Sequence, residues 1–256
     1  MKKIAVFLAL FFVFGRAYCD EKHCGSTDYS CLINSARHKI YLGQREEGIR
    51  DLTPITGLSV ASRRVLAITI SSGDTGDDPQ NMIKSKLLLE SSFREGDMVA
   101  GNFLLNFYYG SHVDRKLFPE NNNRAIYILE EILRQQKDSS GELECLLGEL
   151  LQKSNKEDEA IYWLEKAANR GYLFAGRRLV PIFSSGKNKD LVKAWFYSVM
   201  GGSSMANERH DIEKQMTPEQ LEQAQEMSWQ WQDEHHTHAP GYRGQGSPLR
   251  WQVESH

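Results

Sequence analysis

Four groups of residues in this chain have types and spacings that could do chemistry. Ser184-Ser185-Gly186-Lys187 sets a lysine three residues after a serine, the bare pattern of a serine hydrolase whose hydroxyl is activated by a nearby amine. No Lys-Thr-Gly accompanies it, which leaves the match weak. His235, His236 and His238 form a cluster of imidazoles of the kind that takes up zinc or copper. The Gly, Pro and polar residues around them supply no scaffold to fix a coordination geometry, so a solvated tail is expected there. Cys24 and Cys31 are near enough in sequence to close a short disulfide loop, worth on the order of 2 to 3 kcal/mol in the chain-entropy model. Cys145 lies in the apolar run Leu143 to Leu151 and reads as a small buried hydrophobe rather than a nucleophile. No catalytic residue, no cofactor and no metal site is expected.

The elements that carry these residues show themselves through internal similarity, which has to be sought before any other pattern. Ala-Ile-Tyr-Ile-Leu-Glu at 125 to 130 returns as Ala-Ile-Tyr-Trp-Leu-Glu at 160 to 165. Leu89, Glu90, Gly96, Ala100, Gly101 and Leu104 return 75 positions later as Leu164, Glu165, Gly171, Ala175, Gly176 and Leu179. Ile70-Ser71-Ser72-Gly73, Tyr108-Tyr109-Gly110 and Phe183-Ser184-Ser185-Gly186 occupy equivalent places and read as helix stops, since glycine tolerates the left-handed conformation beyond a helix end. This register sets the Ser184 pattern at a helix end and loop, away from the start of a buried catalytic helix. Polar loops follow, and then apolar residues at helical spacing, as in Ile126, Leu129, Ile132 and Leu133. Four helix pairs are predicted, approximately 58 to 95, 98 to 136, 141 to 170 and 173 to 202. Such pairs stack because none can bury its apolar stripe alone.

Flanking segments complete the layout. Residues 1–19 read as an export signal, with Lys2 and Lys3 before an apolar run from Ile4 to Phe14 that is short for a membrane span. Ala17 and Cys19 favour cleavage before Asp20. The competing reading makes Cys19 a lipid-modified first residue, although Gly15-Arg16-Ala17 lacks the Leu-led lead-in of a lipoprotein. Residues 20–57 form an N-terminal segment with a leading helix over 29 to 50, marked by Leu32, Ile33, Ala36, Ile40 and Leu42. The four pairs fill 58–202. Residues 203–232 carry a capping helix, beginning at Thr217-Pro218-Glu219-Gln220 with a capping-box signature, and 233–256 a flexible tail. Losing the signal would take the formal charge from −3 to −6, since Lys2, Lys3 and Arg16 leave with it; a basic nucleic-acid footprint is absent.

The repeat junctions resemble the Sel-one-like repeat family, a relative of the tetratricopeptide repeats. The likeness rests on Ala160 to Gly171 followed by Ala175, on Lys193-Ala194-Trp195-Phe196-Tyr197, and on Thr217 to Leu221 with Ala224. It is strong over 140 to 232 and weaker over 58 to 139, where Ser85 replaces the usual Ala, the second loop is long and Gln136 stands in place of Gly. The resemblance implies an all-α solenoid of stacked helix-turn-helix repeats with a C-terminal capping helix, whose work is binding another protein. Some secreted bacterial members that look like this chain in layout are periplasmic immunity proteins against type VI secretion lipase effectors, so a secreted antibacterial effector is the candidate partner. An envelope scaffold for endogenous proteins is the other reading. First helices line the concave face of such solenoids, and Tyr and Arg are frequent interface anchors; Tyr109, Arg177 and Arg178 are therefore the candidate partner contacts. N-terminal sequencing of the exported chain is expected to begin at Asp20, and an acylated Cys19 would establish the lipoprotein instead.

Overall fold

The computed structural model describes residues 24–25, 27–72, 78–110, 113–135 and 140–235. The signal segment with Cys19, Gly73, Gln136, His236, His238 and the remainder of the tail lie outside the described residues. All regular structure among the described residues is helical, and the chain divides into two compact units, one up to Phe118 and one from Pro119.

The N-terminal unit holds α1 (Tyr29–Tyr41), α2 (Arg45–Leu52), α3 (Val60–Ile70), α4 (Pro79–Arg94) and α5 (Met98–Tyr108). Asp28 caps α1 by accepting the Cys31 N–H at 3.0 Å, and a Cys24–Cys31 disulfide ties the preceding residues to the same first turn. The single helix expected over 29 to 50 is two helices. Gly43, at φ +86°, turns the chain through a conformation that residues with a Cβ avoid, and α2 folds back so that Ile33, Ala36, Leu52, Leu66 and Ile70 share one core. The Arg45 guanidinium donates to the carbonyls of Thr69 and Ser72 at the end of α3. Arg64 clasps both carboxylate oxygens of Asp97, and Arg63 binds Ser91 and Glu95, holding the exposed Glu95 carboxyl below the usual carboxylate range. The connection after α5 is more than a polar loop. Arg115 donates to the carbonyls of Phe107, Gly110 and Phe118, and the buried Phe118 ring meets Phe107 edge-on at 5.2 Å.

The C-terminal unit holds α6 (Asn122–Gln135), α7 (Glu142–Lys153), α8 (Glu157–Asn169), α9 (Leu173–Ser184), α10 (Leu191–Met200), α11 (Ala206–Glu213) and α12 (Pro218–Glu234). Here α7 pairs with α8 and α9 with α10, while α6 packs on α7 and α8 on α9, so α7, α8 and α9 are each covered on two sides. Their shared core runs through Leu164, Ala167, Ala168, Ala175, Leu179, Phe183, Ala194 and Trp195. Glycine sets the spacing inside each pair. A Cβ on Gly148 would stand 2.7 Å from Leu164 Cγ and 3.1 Å from the Ala160 carbonyl oxygen; one on Gly176 would stand 2.8 Å from the Tyr197 carbonyl oxygen.

Left-handed glycines fall elsewhere than the repeat pattern predicts. Gly186 (φ +75°) has that conformation after α9, but Gly110 does not have it after α5. Gly96 (φ +92°) and Gly171 (φ +84°) have it at the ends of α4 and α8. There the next helix starts only a residue or two later, and Asp97 and Tyr172 N–H groups reach back to Ser92 and Ala167 carbonyls to close the reversal. The Thr217 and Gln220 side chains form a reciprocal capping box at the start of α12. This helix runs on to Glu234, past the expected boundary at residue 232, and Leu221, Ala224, Met227 and Trp231 pack it onto the core. The short α11 ahead of it was not legible as a separate helix; the Glu213 carboxylate near its end accepts the Trp195 indole N–H at 2.8 Å.

An alanine at an exposed helical glycine gains up to about 1 kcal/mol from helix propensity. At Gly148 and Gly176 overpacking reverses that sign: each glycine-to-alanine variant is expected to lose about 1 to 3 kcal/mol, measured as a lower urea midpoint at unchanged slope.

Candidate functional site

The face available for recognition follows from what α7 and α9 bury. On α9, Ala175, Gly176, Leu179, Val180, Ile182 and Phe183 turn inward, which leaves Phe174, Arg178 and Pro181 at helical spacing on the outside. On α7, Cys145, Leu147, Gly148, Leu150 and Leu151 turn inward, leaving Glu142, Glu149 and Lys153 outward. These two first helices touch each other. Arg178 Nη2 donates to Glu149 Oε2 at 2.7 Å across them, and Lys153 Nζ lies 3.4 Å from the other oxygen of the same carboxylate.

Phe174 is the apolar centre of this face. The residue is 56% exposed, and its ring packs against Tyr172 at 5.6 Å between centroids and lies under the Arg177 guanidinium at 4.9 Å. Arg177 is itself fixed, because its Nε donates to the Gly201 carbonyl at 2.8 Å at the end of α10. A cation held over an aromatic face stabilises it by about 0.5 to 1 kcal/mol at an exposed site, and it also restrains the ring. The surface is therefore an exposed aromatic braced from behind, with a mobile-length arginine beside it that already has one carboxylate partner.

The candidate contacts named from sequence separate here. Arg177 and Arg178 sit together on α9 but do different things: Arg177 is a brace, and Arg178 points outward. Tyr109 belongs to the N-terminal unit, where it is half-buried as the residue that ends α5, its backbone N–H bonded to the Leu105 carbonyl at 2.8 Å. It lies past the helix rather than on its outer face. Phe174 was missed. The signal available for it was the repeat register, in which Phe174 falls 75 positions after Val99, and both are exposed apolar residues in the first turn of a first helix.

Beneath the face lie polar groups committed to structure. Glu144, 1% exposed in its side chain, pairs with Arg170 Nε at 3.2 Å. Burial pushes the Cys145 thiol up to about 11, and burial followed by the Glu142 charge raises the Tyr172 phenol. Glu165 accepts from Tyr197 at 3.1 Å and from Lys193 at 3.0 Å, and burial followed by that carboxylate raises the Tyr197 phenol well beyond its ordinary range. In the N-terminal unit, Glu90 accepts from Tyr108 in the same way. Tyr108 and Phe183 are equivalent in the repeat; Phe183 lacks the hydroxyl, and Tyr197, stacked on Phe183 at 5.7 Å, supplies it.

The residues singled out for reactivity do not assemble. Ser184 donates its hydroxyl to the Val180 carbonyl at 2.7 Å, and Lys187 reaches Asp158 at 3.2 Å, so the Ser-x-x-Lys pair has no nucleophile and base in contact. His235 is not part of a solvated tail: it ends α12, with its ring stacked on Trp231. Among the described residues no group of three His, Cys, Asp or Glu side chains is placed to hold a metal, and no helix is long and apolar enough to cross a membrane.

Stacked helix pairs and an all-helical core define the class of the molecule as a helical-repeat protein of the Sel-one-like fold. Among solved structures it is similar to a protective antigen present in uropathogenic Escherichia coli strains, which displays an SLR fold, with a TM-score of 0.52 and 20% sequence identity. The likeness covers 83% of this chain and 42% of that one, so this chain spans less than half the length of that protein. No protein-family model and no curated protein matches the sequence.

The Cys145 thiol is expected to be inert in the native chain. With a thiol-reactive disulfide reagent at pH 8, wild type and Cys145→Ala should show equal numbers of reactive thiols when folded, and differ by one in denaturant.

Proposed function

We propose that this chain is a non-catalytic protein-binding repeat protein that engages its partner through the α7 and α9 face of the C-terminal unit. The observation that carries this reading is Phe174: a large aromatic residue more than half exposed, its ring held in place by an arginine whose own position is fixed. Leaving such a ring in water forgoes the stabilisation that burying it would bring, and aromatic and arginine side chains dominate the energetics of protein interfaces. Arg178 adds a charge that can exchange Glu149 for a carboxylate on the partner.

The finer reading is that the protein is exported to the periplasm and acts there as an immunity protein, neutralising a lipase-type effector delivered by a type VI secretion system. It would do so by occlusion, covering the entrance to the effector's active site or its approach to the membrane, and would need no chemistry of its own. The export signal at the N-terminus and the family resemblance support this.

Two experiments test the levels separately. A double variant, Phe174→Ala with Arg178→Glu, is expected to weaken partner capture from envelope extract by at least about tenfold while leaving the melting temperature within a few degrees of wild type; undiminished capture would refute the face. Deleting the gene is expected to make cells sensitive to attack by sibling cells. Normal survival with capture of an endogenous envelope protein would replace immunity by the scaffold reading.

A further inference from the structure

A second exposed aromatic of the C-terminal unit has no part in the α7 and α9 face. Tyr162, 60% exposed on α8, lines a shallow depression together with Glu165, Lys166, Asn169 and Arg170. Its walls are the tyrosine ring and the methylene stems of the lysine and the arginine, which offer apolar surface although their heads are charged. Those heads are already engaged: Glu165 accepts from Lys193 and Tyr197, Arg170 pairs with Glu144, and the Lys166 ammonium lies over the Trp163 ring at 4.5 Å. The occupant that fits such walls is an aromatic side chain rather than a small polar ligand.

The chain itself leaves the helices at this depression. His235, the residue after α12, donates from Nε2 to the carbonyl of Asn169 at 2.6 Å, and Asn169 forms part of the rim. The His235 ring also stacks on Trp231 at 4.2 Å between centroids, which fixes the point of departure. Residues 236 to 256 follow. Among them Leu249, Trp251 and Val253 alternate with Arg250, Gln252 and Glu254, so an extended backbone there presents three apolar side chains on one side. Trp251 stands sixteen residues after His235, a reach of up to about 50 Å when extended, far more than a return to the rim needs. Pro240, Gly241, Gly244 and Gly246 lie between, residue types that let a chain reverse direction.

We propose that the depression on α8 is a docking site for this chain's own C-terminal segment, with Trp251 seated against Tyr162 and the Arg170 guanidinium and with Leu249 and Val253 flanking it. An indole packs favourably both on a phenol ring and against a guanidinium. Tethering makes even a weak contact effective: a short linker holds the segment at a millimolar effective concentration, so any affinity tighter than that keeps the site mostly filled. Docking covers Tyr162 and leaves Phe174 exposed, so the inference stands whether or not the α7 and α9 face binds a partner.

Trypsin reads the docking directly, because Arg250 adjoins Trp251 while Arg243 lies in the linker. The full exported chain is digested briefly under native conditions, and mass spectrometry follows cleavage after Arg250 in chains still intact at Arg243. Wild type is compared with Tyr162→Ala and with Phe174→Ala, which removes an exposed ring elsewhere on the same unit. Loss of the Tyr162 ring is expected to speed cleavage after Arg250 at least about fivefold, while Phe174→Ala cleaves at the wild-type rate and wild-type protection does not vary with protein concentration. Equal rates in wild type and Tyr162→Ala would overturn the proposal, as would an equal acceleration in Phe174→Ala. Protection that grows with protein concentration would overturn it too, by making the occupant the tail of a second copy.

Discussion

The approach of helix backbones inside each pair is the constraint on which the rest of this molecule depends. Gly148 lies against Leu164 and the Ala160 carbonyl, and Gly176 against the Tyr197 carbonyl, at distances that leave no room for a methyl group. Because these positions are small, α7 closes on α8 and α9 on α10, and the larger side chains flanking them interdigitate. Ala167, Ala168 and Ala175 extend the same economy to the contact between one pair and the next. A repeat built this way gains its stability from neighbours rather than from a single central core.

The same constraint decides what remains on the outside. When α9 turns Ala175, Gly176, Leu179, Val180 and Phe183 inward, helical geometry leaves Phe174 and Arg178 on the opposite side with no choice of burial. The molecule then spends polar interactions on holding that outer side in shape: the Gly201 carbonyl fixes Arg177, Arg177 restrains Phe174, and Glu149 orients Arg178. Under the function proposed above, recognition by this surface would need no conformational change in the repeats, only the exchange of water and one intramolecular ion pair for a partner. Helix ends are treated with equal care, by Asp28, Asp97 and Thr217 at N-termini and by Arg45 and His235 at C-termini.

Much of this was legible in the sequence, because repeat similarity reports on packing that recurs. The helices α3, α4, α7, α8, α9 and α10 begin and end within a few residues of the limits expected for them, while the expected pair over 98 to 136 falls across the division between the two units, with α5 in one and α6 in the other. Features that occur once were harder to read. Gly43 interrupts an otherwise continuous helical pattern, and only its positive φ shows that 29 to 50 is two helices. Arg115 and Phe118 fold a long connection down by contacts to Phe107 and Gly110 that no local pattern encodes. His235 looked like tail because the Gly and Pro that follow it outweigh the single helical turn it completes. The candidate site was half visible: arginine and tyrosine identity flagged Arg177, Arg178 and Tyr109, but identity says nothing about partners, and the carbonyl that claims Arg177 comes from Gly201, 24 residues away.

The proposed function is tested most directly by locating where a partner touches the C-terminal unit. A photo-crosslinking residue placed at Phe174 on α9, and separately at Tyr162 on the exposed side of α8, would report this in living cells. One discrete crosslinked species is expected from position 174, dependent on the partner's presence, and none from position 162. Crosslinking from 162 alone, or of equal strength from both, would contradict it.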